Sequence, residues 1–441
     1  MSMSSVIDTL RDRLAPASGA ARWCVALSGG LDSTVLLHGL QQLAREFDYV
    51  SLRAVHVHHG LHTDADDWTA RCRSLCRDLD VPLEVRRVDV DLDSGQGTEA
   101  AARRARYAAF ESLLDEGELL LTAHHAQDQV ETVLLRLLRG AGVKGLGAIA
   151  VRSRFGRGWL VRPLLSLGRP ELEACARDHA LRWIEDPTNR DTDLDRNYLR
   201  HDVIPALRLR WPGMDASIGR TARLAAEAQE LLHALAAQDA LTVMNGKLIA
   251  LRRLRELDGS RQRNLLRYVL QQRDIAPPSE LQISGGLEQL LTAREDRNPV
   301  LRWPGGQVRR YRDNLYVLED DPEQLADAGP DTIQWDGHEP LALGAIRGRL
   351  TIERLAGEPS GLNVRFRRGG ERLLEADHAH HQRLKKMFQA RGVVPWMRAH
   401  VPLLFQDEEL LAVGDLWLSS EFATRLGEGA RIRWEGHADP F

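Results

Sequence analysis

Short apolar runs alternate with amphipathic stretches through the first two hundred residues. Residues 23–27 read as a buried strand, followed by a loop and a helix over 33–46. Residues 52–57 predict a second strand, 64–79 a helix and 83–88 a third strand. After a Gly/Ser-rich loop at 94–97, helix formers over 98–114 set Ala101, Ala105, Ala108 and Leu113 among Arg103, Arg104 and Arg106. A strand at 119–122 and a helix at 127–138 complete the series. Strands alternating with helices predict an α/β domain: a parallel sheet with helices on both faces. Ligands of such sheets bind outside the carboxyl ends of the strands.

The pattern then changes. Residues 197–272 read as almost wholly helical, with an Ala/Leu/Glu-rich stretch at 218–241, until Pro277-Pro278 breaks the run. Residues 301–318 read as short strands joined at Pro304-Gly305-Gly306. The Asp- and Pro-rich segment 319–330 is the best linker, and 341–441 shows short strands with Gly and Pro punctuation. The expected division is a catalytic α/β domain over 1–205, a mainly helical domain over 206–320 and a small α+β domain over 331–441.

Composition narrows the classes. At 441 residues the chain is too long for one ordinary core, and 43% hydrophobic with 28% charged residues is usual for a globular protein. No apolar run approaches the roughly 18–20 residues that cross a bilayer, and no secretory core stands at the start, so a cytoplasmic location is expected. The four cysteines suit a reducing compartment; Cys72 and Cys76, four apart, read as buried small residues rather than as a metal pair. With a net charge of −4 the chain is no polycation, so any nucleic-acid contact needs locally gathered charge.

Ser28-Gly29-Gly30-Leu31-Asp32-Ser33 carries the chemistry. It stands between the first strand and a helix. Adjacent glycines let backbone N–H groups approach phosphate oxygens, and the helix N-terminus adds donors and a favourable dipole. Ser28 and Ser33 add hydroxyls, and Asp32 suits a magnesium ion or a substrate amine. No Gly-Lys-Ser/Thr follows, which excludes the common nucleotide-hydrolase loop. Three further stretches sit at strand carboxyl ends and so on the same rim: His56 to Leu61, Thr122 to Thr132, and Arg136 to Gly140.

The loop matches the SGGxDS signature of the PP-loop ATP-pyrophosphatase superfamily, whose members cleave ATP between the α and β phosphates. With the rim stretches, Glu185 to Asp191 and Arg196 to Arg200, the first two hundred residues closely resemble the tRNA(Ile)-lysidine synthetase family. The likeness extends more weakly to Phe366 to Glu371 and Val394 to Arg398. It implies an adenine nucleotide α-hydrolase-like fold and a ligase that modifies the wobble cytidine of a CAU-anticodon isoleucine tRNA. The cytosine C2 oxygen attacks the α phosphorus of ATP, and the ε-amine of free L-lysine then expels AMP.

The resemblance implies these roles. Ser28, Gly29, Gly30, Leu31, Asp32 and Ser33 hold ATP; Asp32 and Asp128 hold Mg²⁺ or orient the ammonium. His124 or His125 moves a proton or stabilises charge, and Arg196 and Arg200 counter the polyphosphate or the tRNA backbone. Arg103, Arg106, Arg200, Arg367, Arg368, Lys385 and Lys386 are candidate tRNA contacts; homodimerisation is left open. One departure stands out: the family usually shows two acids in HHADDQ, and Gln127 occupies the first acidic position here. Gln127 then either faces solvent or marks a place where no carboxylate is needed.

Blander readings stand beside these. His58, His59 and His62 equally suit polar strand ends, the turn at Asp186 to Asn189 is a common terminator, and the 98–114 arginines also read as a solvated face. Basic residues gather at 252–273 and 365–398, which fits phosphate contacts or a mixed-charge surface. Trp396 and Trp417 read as core. A sulfur-transferring relative would need a Cys-x-x-Cys pair, which is absent, and no glutaminase pattern appears.

Overall fold

The computed structural model describes residues 3–14, 22–47, 50–94, 97–294, 297–319, 332–344, 347–353, 361–375, 380–426 and 431–437. The chain divides into two compact units, residues 1–232 and 233–441.

In the first unit a six-stranded sheet is built from β1 (Arg22–Ala26), β2 (Ser51–His58), β3 (Leu83–Arg87), β4 (Leu119–Leu121), β5 (Arg152–Phe155) and β6 (Gly158–Val161). Its order is β3-β2-β1-β4-β6-β5. All neighbours are parallel except the β5–β6 hairpin. The helices are α1 (Met3–Leu14), α2 (Leu31–Ala44), α3 (Ala65–Asp78), α4 (Thr98–Leu113), α5 (Ala126–Leu138), α6 (Val143–Leu146), α7 (Arg169–Asp178), α8 (Asp195–Tyr198) and α9 (Ile204–Arg210).

Strand periodicity of two sorts β1 onto two cores. Trp23, Val25 and Leu27 join Val6 and Leu10 of α1, Leu36 and Leu40 of α2 and Leu172 of α7. Cys24 faces the other way, with Val55, Leu120, Leu160 and the α4 residues Ala109 and Phe110. The sheet is thus covered on both faces, as the pattern predicted. The order reverses between β1 and β4, so the loops after these two strands flank the switch point where ligands of open sheets bind.

The 30-residue helix α10 (Met214–Val243) crosses the division between the units. The expected helical run to 272 is interrupted by two short strands, Met244–Asn245 and Leu248–Ala250, paired antiparallel. Asn245 pairs with Leu248, so Gly246-Lys247 forms a two-residue hairpin loop, and Gly246 at its first position has the positive φ, +58°, that such turns require. These strands extend a five-stranded antiparallel sheet with Val300–Trp303, Gly306–Tyr311 and Asn314–Leu318. Helices Leu251–Glu256, Gly259–Gln272 and Glu280–Thr292 share its core through Leu254, Leu266 and Leu287.

The last part of the chain forms another antiparallel sheet from Thr332–Trp335, Leu362–Arg365, Leu403–Gln406, Glu409–Val413 and Trp417–Leu418. Its core holds Phe388, Met397, Trp417 and Trp434, with Trp396 packed at the margin. Beyond Glu319, the expected linker lies outside the described residues.

Candidate active site

The loop after β1 turns on Gly29, whose φ is +85°. A Cβ there would also stand 2.5 Å from Ile184 Cδ1 and 2.9 Å from Cys72 Sγ, so only glycine fits. Gly29 N–H donates to Ser33 Oγ at 3.2 Å and Gly30 N–H to Ser28 Oγ at 3.3 Å. Ser33 Oγ in turn donates to Gly30 O, 3.1 Å away. Helix α2 starts at Leu31, earlier than the expected 33, and its N-cap Gly30 supplies no side-chain cap. First-turn N–H groups therefore lack a side-chain acceptor and suit an anion.

The loop after β4 carries the acids. His125 is the N-cap of α5: its Nδ1 accepts from Gln127 N–H at 3.2 Å, while Asp128 Oδ2 accepts from His125 N–H at 2.9 Å. Because Nδ1 is an acceptor, the ring proton sits on Nε2. That nitrogen lies 3.6 Å from Asp32 Oδ2 and 3.7 Å from Asp128 Oδ2. Asp32, Asp128 and His125 thus meet, as the rim argument requires.

The two aspartates differ. Burial raises Asp32 above the usual carboxylate range, and Asp128 adds repulsion; His125, Arg169 and Arg200 oppose both. Its Oδ1 is buried without a hydrogen-bond partner. Burial also pushes Asp128 upward, but His125, Arg196 and His124 outweigh it and hold that carboxyl below its ordinary value. Both Asp128 oxygens are engaged, Oδ2 by the His125 backbone and Oδ1 by Arg196 Nη2 at 2.7 Å. Asp32 is therefore the carboxylate with an uncommitted oxygen.

Glu131, within a stretch already singled out but given no role, is the centre of the charge network. It has no exposed surface. Arg196 Nε donates to its Oε2 at 2.7 Å, and Gln127 Nε2 to its Oε1 at 3.3 Å. Arg200 spans both oxygens, at 2.7 and 2.9 Å. Gln127 is buried, which excludes the solvent-facing alternative, and its amide serves Glu131 as a neutral donor. Arg200 lies in this network on a π-helical turn, Leu199–Val203, a geometry frequent at functional sites.

The segment leading to these arginines is braced. Asp186 caps the turn Pro187–Arg190 by accepting from Thr188 N–H at 2.9 Å. Buried Asn197 donates to Thr188 O and Asp191 O at 3.1 and 2.8 Å. Ile184 N–H donates to Gly29 O at 2.9 Å, tying the same segment to the phosphate loop.

Beside the network lies a cleft of about 410 Å³ lined by Arg103, His124, Thr132, Arg136, Arg139, Ala148, Ser153, Arg162 and Arg196 among others. His124 Nδ1 stands 2.9 Å from Thr122 Oγ1. Burial, with Arg162, Arg103 and Arg196 nearby, holds His124 down to about 4 against the pull of Asp128, so the ring is neutral near pH 7. Of the α4 arginines, Arg103 is exposed and reaches this cleft. Arg106 donates to His59 Nε2 at 3.1 Å, and Arg104 stands 3.8 Å from Asp91. His58 sits 3.2 Å from Asp66, and His62 stacks on Trp68.

Cys72 and Cys76 are buried free thiols, pushed up by burial to about 12 and about 11. Among the described residues no group of three or more metal-ligating side chains forms. In the second unit Arg368, Lys385 and Lys386 are exposed, and Arg367 lies 3.7 Å from Glu371. The 252–273 arginines are instead engaged inside that unit. Arg252 pairs with Asp313, Arg261 with Asp239 and Arg267 with Glu280, while Arg255 and Arg273 donate to backbone carbonyls.

A parallel sheet with this loop at its switch point, facing a buried acid–arginine network, defines a PP-loop ATP-binding domain. The family model described as a PP-loop domain matches residues 3–207, and ATP is the substrate such a domain takes. The models described as TilS substrate binding domain and TilS substrate C-terminal domain match residues 250–316 and 362–434. The tRNA(Ile)-lysidine synthase of Alkalilimnicola ehrlichii is 45% identical, over 98% of this chain and 97% of its own. That of Pseudomonas aeruginosa is 44% identical over 92% of each. The chain belongs to the tRNA(Ile)-lysidine synthase family. Among solved structures, the U34-tRNA thiolase NcsA of Methanococcus maripaludis overlaps 50% of this chain and 79% of its own, at 19% identity and a TM-score of 0.43.

Proposed function

We propose that this protein ligates free L-lysine to C2 of the wobble cytidine in the CAU-anticodon isoleucine tRNA, in two steps at one site. The observation that carries the reading is the meeting of the phosphate loop, Asp32, His125, Asp128 and the Arg196–Glu131–Arg200 network beside a nucleotide-sized arginine-lined cleft.

In the first step the cytosine C2 oxygen attacks the α phosphorus and pyrophosphate leaves. The Gly29 and Gly30 N–H groups exchange their serine acceptors for phosphate oxygens, and the α2 N-terminus supplies further donors. Arg196 and Arg200, already oriented by Glu131, present fixed positive charge where charge builds on the leaving group. Asp32, whose Oδ1 is buried without a hydrogen-bond partner, is the residue that would hold Mg²⁺, which would supply positive charge to offset the triphosphate.

In the second step the lysine ε-amine attacks C2 and AMP leaves with the former C2 oxygen. A ring carbonyl oxygen leaves badly; as part of AMP it leaves well. The ammonium gives up one proton before it attacks and a second as the C2–N bond forms; both pass to solvent, and His124, in the cleft and held at about 4, would relay them without retaining them. Asp32 and Asp128 orient the incoming ammonium by charge. The setting is the cytoplasm, where tRNA and lysine meet; among the described residues no helix is long and apolar enough to cross a membrane.

The test supplies purified protein with ATP, Mg²⁺, labelled lysine and unmodified isoleucine tRNA. Label on tRNA with equimolar AMP is expected. AMP release on some other acceptor, with no label on tRNA, overturns the reading.

A further inference from the structure

The antiparallel strand β5 is the free edge of the first unit's sheet, and it carries an arginine ladder that the catalytic site does not use. Arg152 and Arg154 are exposed and lie two residues apart on one face. Their guanidinium carbons stand 4.0 and 4.5 Å from the ring centroid of Trp159, so one indole on β6 supports both. Exposed Arg157 follows in the hairpin turn. Among the described residues no carboxylate pairs with any of the three.

This arrangement has a chemical meaning. A cation–π contact uses only the flat face of a guanidinium and leaves its in-plane N–H donors free. The indole also removes much of the rotamer freedom that makes a surface arginine costly to order. Two braced forks on residues whose Cα atoms lie about 7 Å apart along a strand suit successive anionic groups. The ladder borders the cleft at the sheet edge: Ser153, between the two ladder arginines and so directed to the opposite face of the strand, lines the cleft, and Arg152 pairs in register with Val161, the residue before cleft residue Arg162.

We infer that the β5 edge is a docking track for the sugar–phosphate backbone of the substrate RNA flanking the nucleotide held in the cleft. The inference rests on the proposed tRNA reading and extends it to a surface outside the ATP site. Charge complementarity selects the occupant, because the track is uncompensated cation beside a site for a polyanion. The competing role is protection of a sheet edge against strand pairing, for which exposed cations also serve.

Arg152→Gln/Arg154→Gln and Arg152→Glu/Arg154→Glu separate the two. The expected result is a tRNA KM raised about tenfold by the Gln pair and more by the Glu pair, with kcat and ATP KM within about twofold. The slope of log affinity against log salt should fall by about 1 to 2. An unchanged tRNA KM and salt slope overturns the track. Self-association of the variants with tRNA affinity intact assigns the arginines to edge protection and overturns it equally. If the wild type binds tRNA but transfers no lysine, the lysine reading fails while affinity and salt slope still decide the track.

Discussion

Arg200 grips Glu131 with two prongs, Nε to Oε1 at 2.7 Å and Nη2 to Oε2 at 2.9 Å, and the acid so gripped has no contact with solvent. A buried carboxylate serving two arginines is a positioning device, since neither guanidinium can swing away without costing a water-free oxygen one of its charged donors. Removing one partner of a buried pair typically costs about 3–5 kcal/mol. Glu131→Ala should therefore lower the urea-unfolding free energy by about that amount. Glu131→Gln, which keeps the shape, should lose about a hundredfold in kcat at a smaller stability cost. Ligation kinetics and urea titration of the two variants check this. Near-wild-type turnover in both would remove Glu131 from the mechanism.

Asp32 illustrates function set against stability. Its folded-state pKa lies above the ordinary 3.8, so folding favours the protonated form, and the ionised form penalises the fold at neutral pH. Asp32→Asn should raise the urea midpoint at pH 7–8, an advantage that shrinks as pH falls and disappears below about pH 3.8. The same variant should release AMP about 10²- to 10³-fold more slowly while binding tRNA almost unchanged. A less stable Asn variant would mean that Asp32 braces the fold.

His124 shifts the other way. Held at about 4 against an ordinary 6.5, it loses its proton on folding. Its contribution is complete above about pH 6.5 and lost as pH falls through about 4. Replacement by Gln should flatten the fall in unfolding free energy across that window. An unaltered curve would show that burial at this position does not control the proton.

Gly29→Ala should abolish ATP binding, because the new methyl meets Ile184 and Cys72 and the residue must hold φ +85°. Adding Ile184→Val with Cys72→Ala relieves both contacts without relieving the backbone. The triple variant should recover stability in a thermal melt more than it recovers ATP affinity in calorimetry. Full recovery of affinity would locate the whole defect in the side-chain clash.

What was legible in the sequence had a local signature. The strand–helix alternation, the glycines of the phosphate loop and the rim position of Asp32, His125 and Asp128 all follow from patterns within a few residues. Glu131 was hidden because an acid three residues after another acid on an amphipathic helix reads as solvated surface. Its burial depends on arginines 65 and 69 residues away. Arg200 was expected among the tRNA contacts, and only tertiary structure places it opposite Glu131. The Met244–Ala250 hairpin escaped because its strands are two and three residues long within strong helix formers, with Gly246 as its one turn residue. Similarly, the 252–273 arginines look like a phosphate grip by composition, and the carbonyls and acids that engage several of them lie elsewhere in the chain.

The long span between Glu131 and Arg200 also orders events during synthesis. Ribosomes release the phosphate loop early, when its counterpart arginines have not yet been translated. Domains fold as units while the chain emerges at roughly 5–20 residues per second, so some seconds separate the emergence of Ser33 from that of Arg200. Through that interval the loop also lacks Ile184, on which Gly29 packs, until shortly before the arginines that grip Glu131 emerge. Loop support and charge network are thus completed together, late in the synthesis of the first unit.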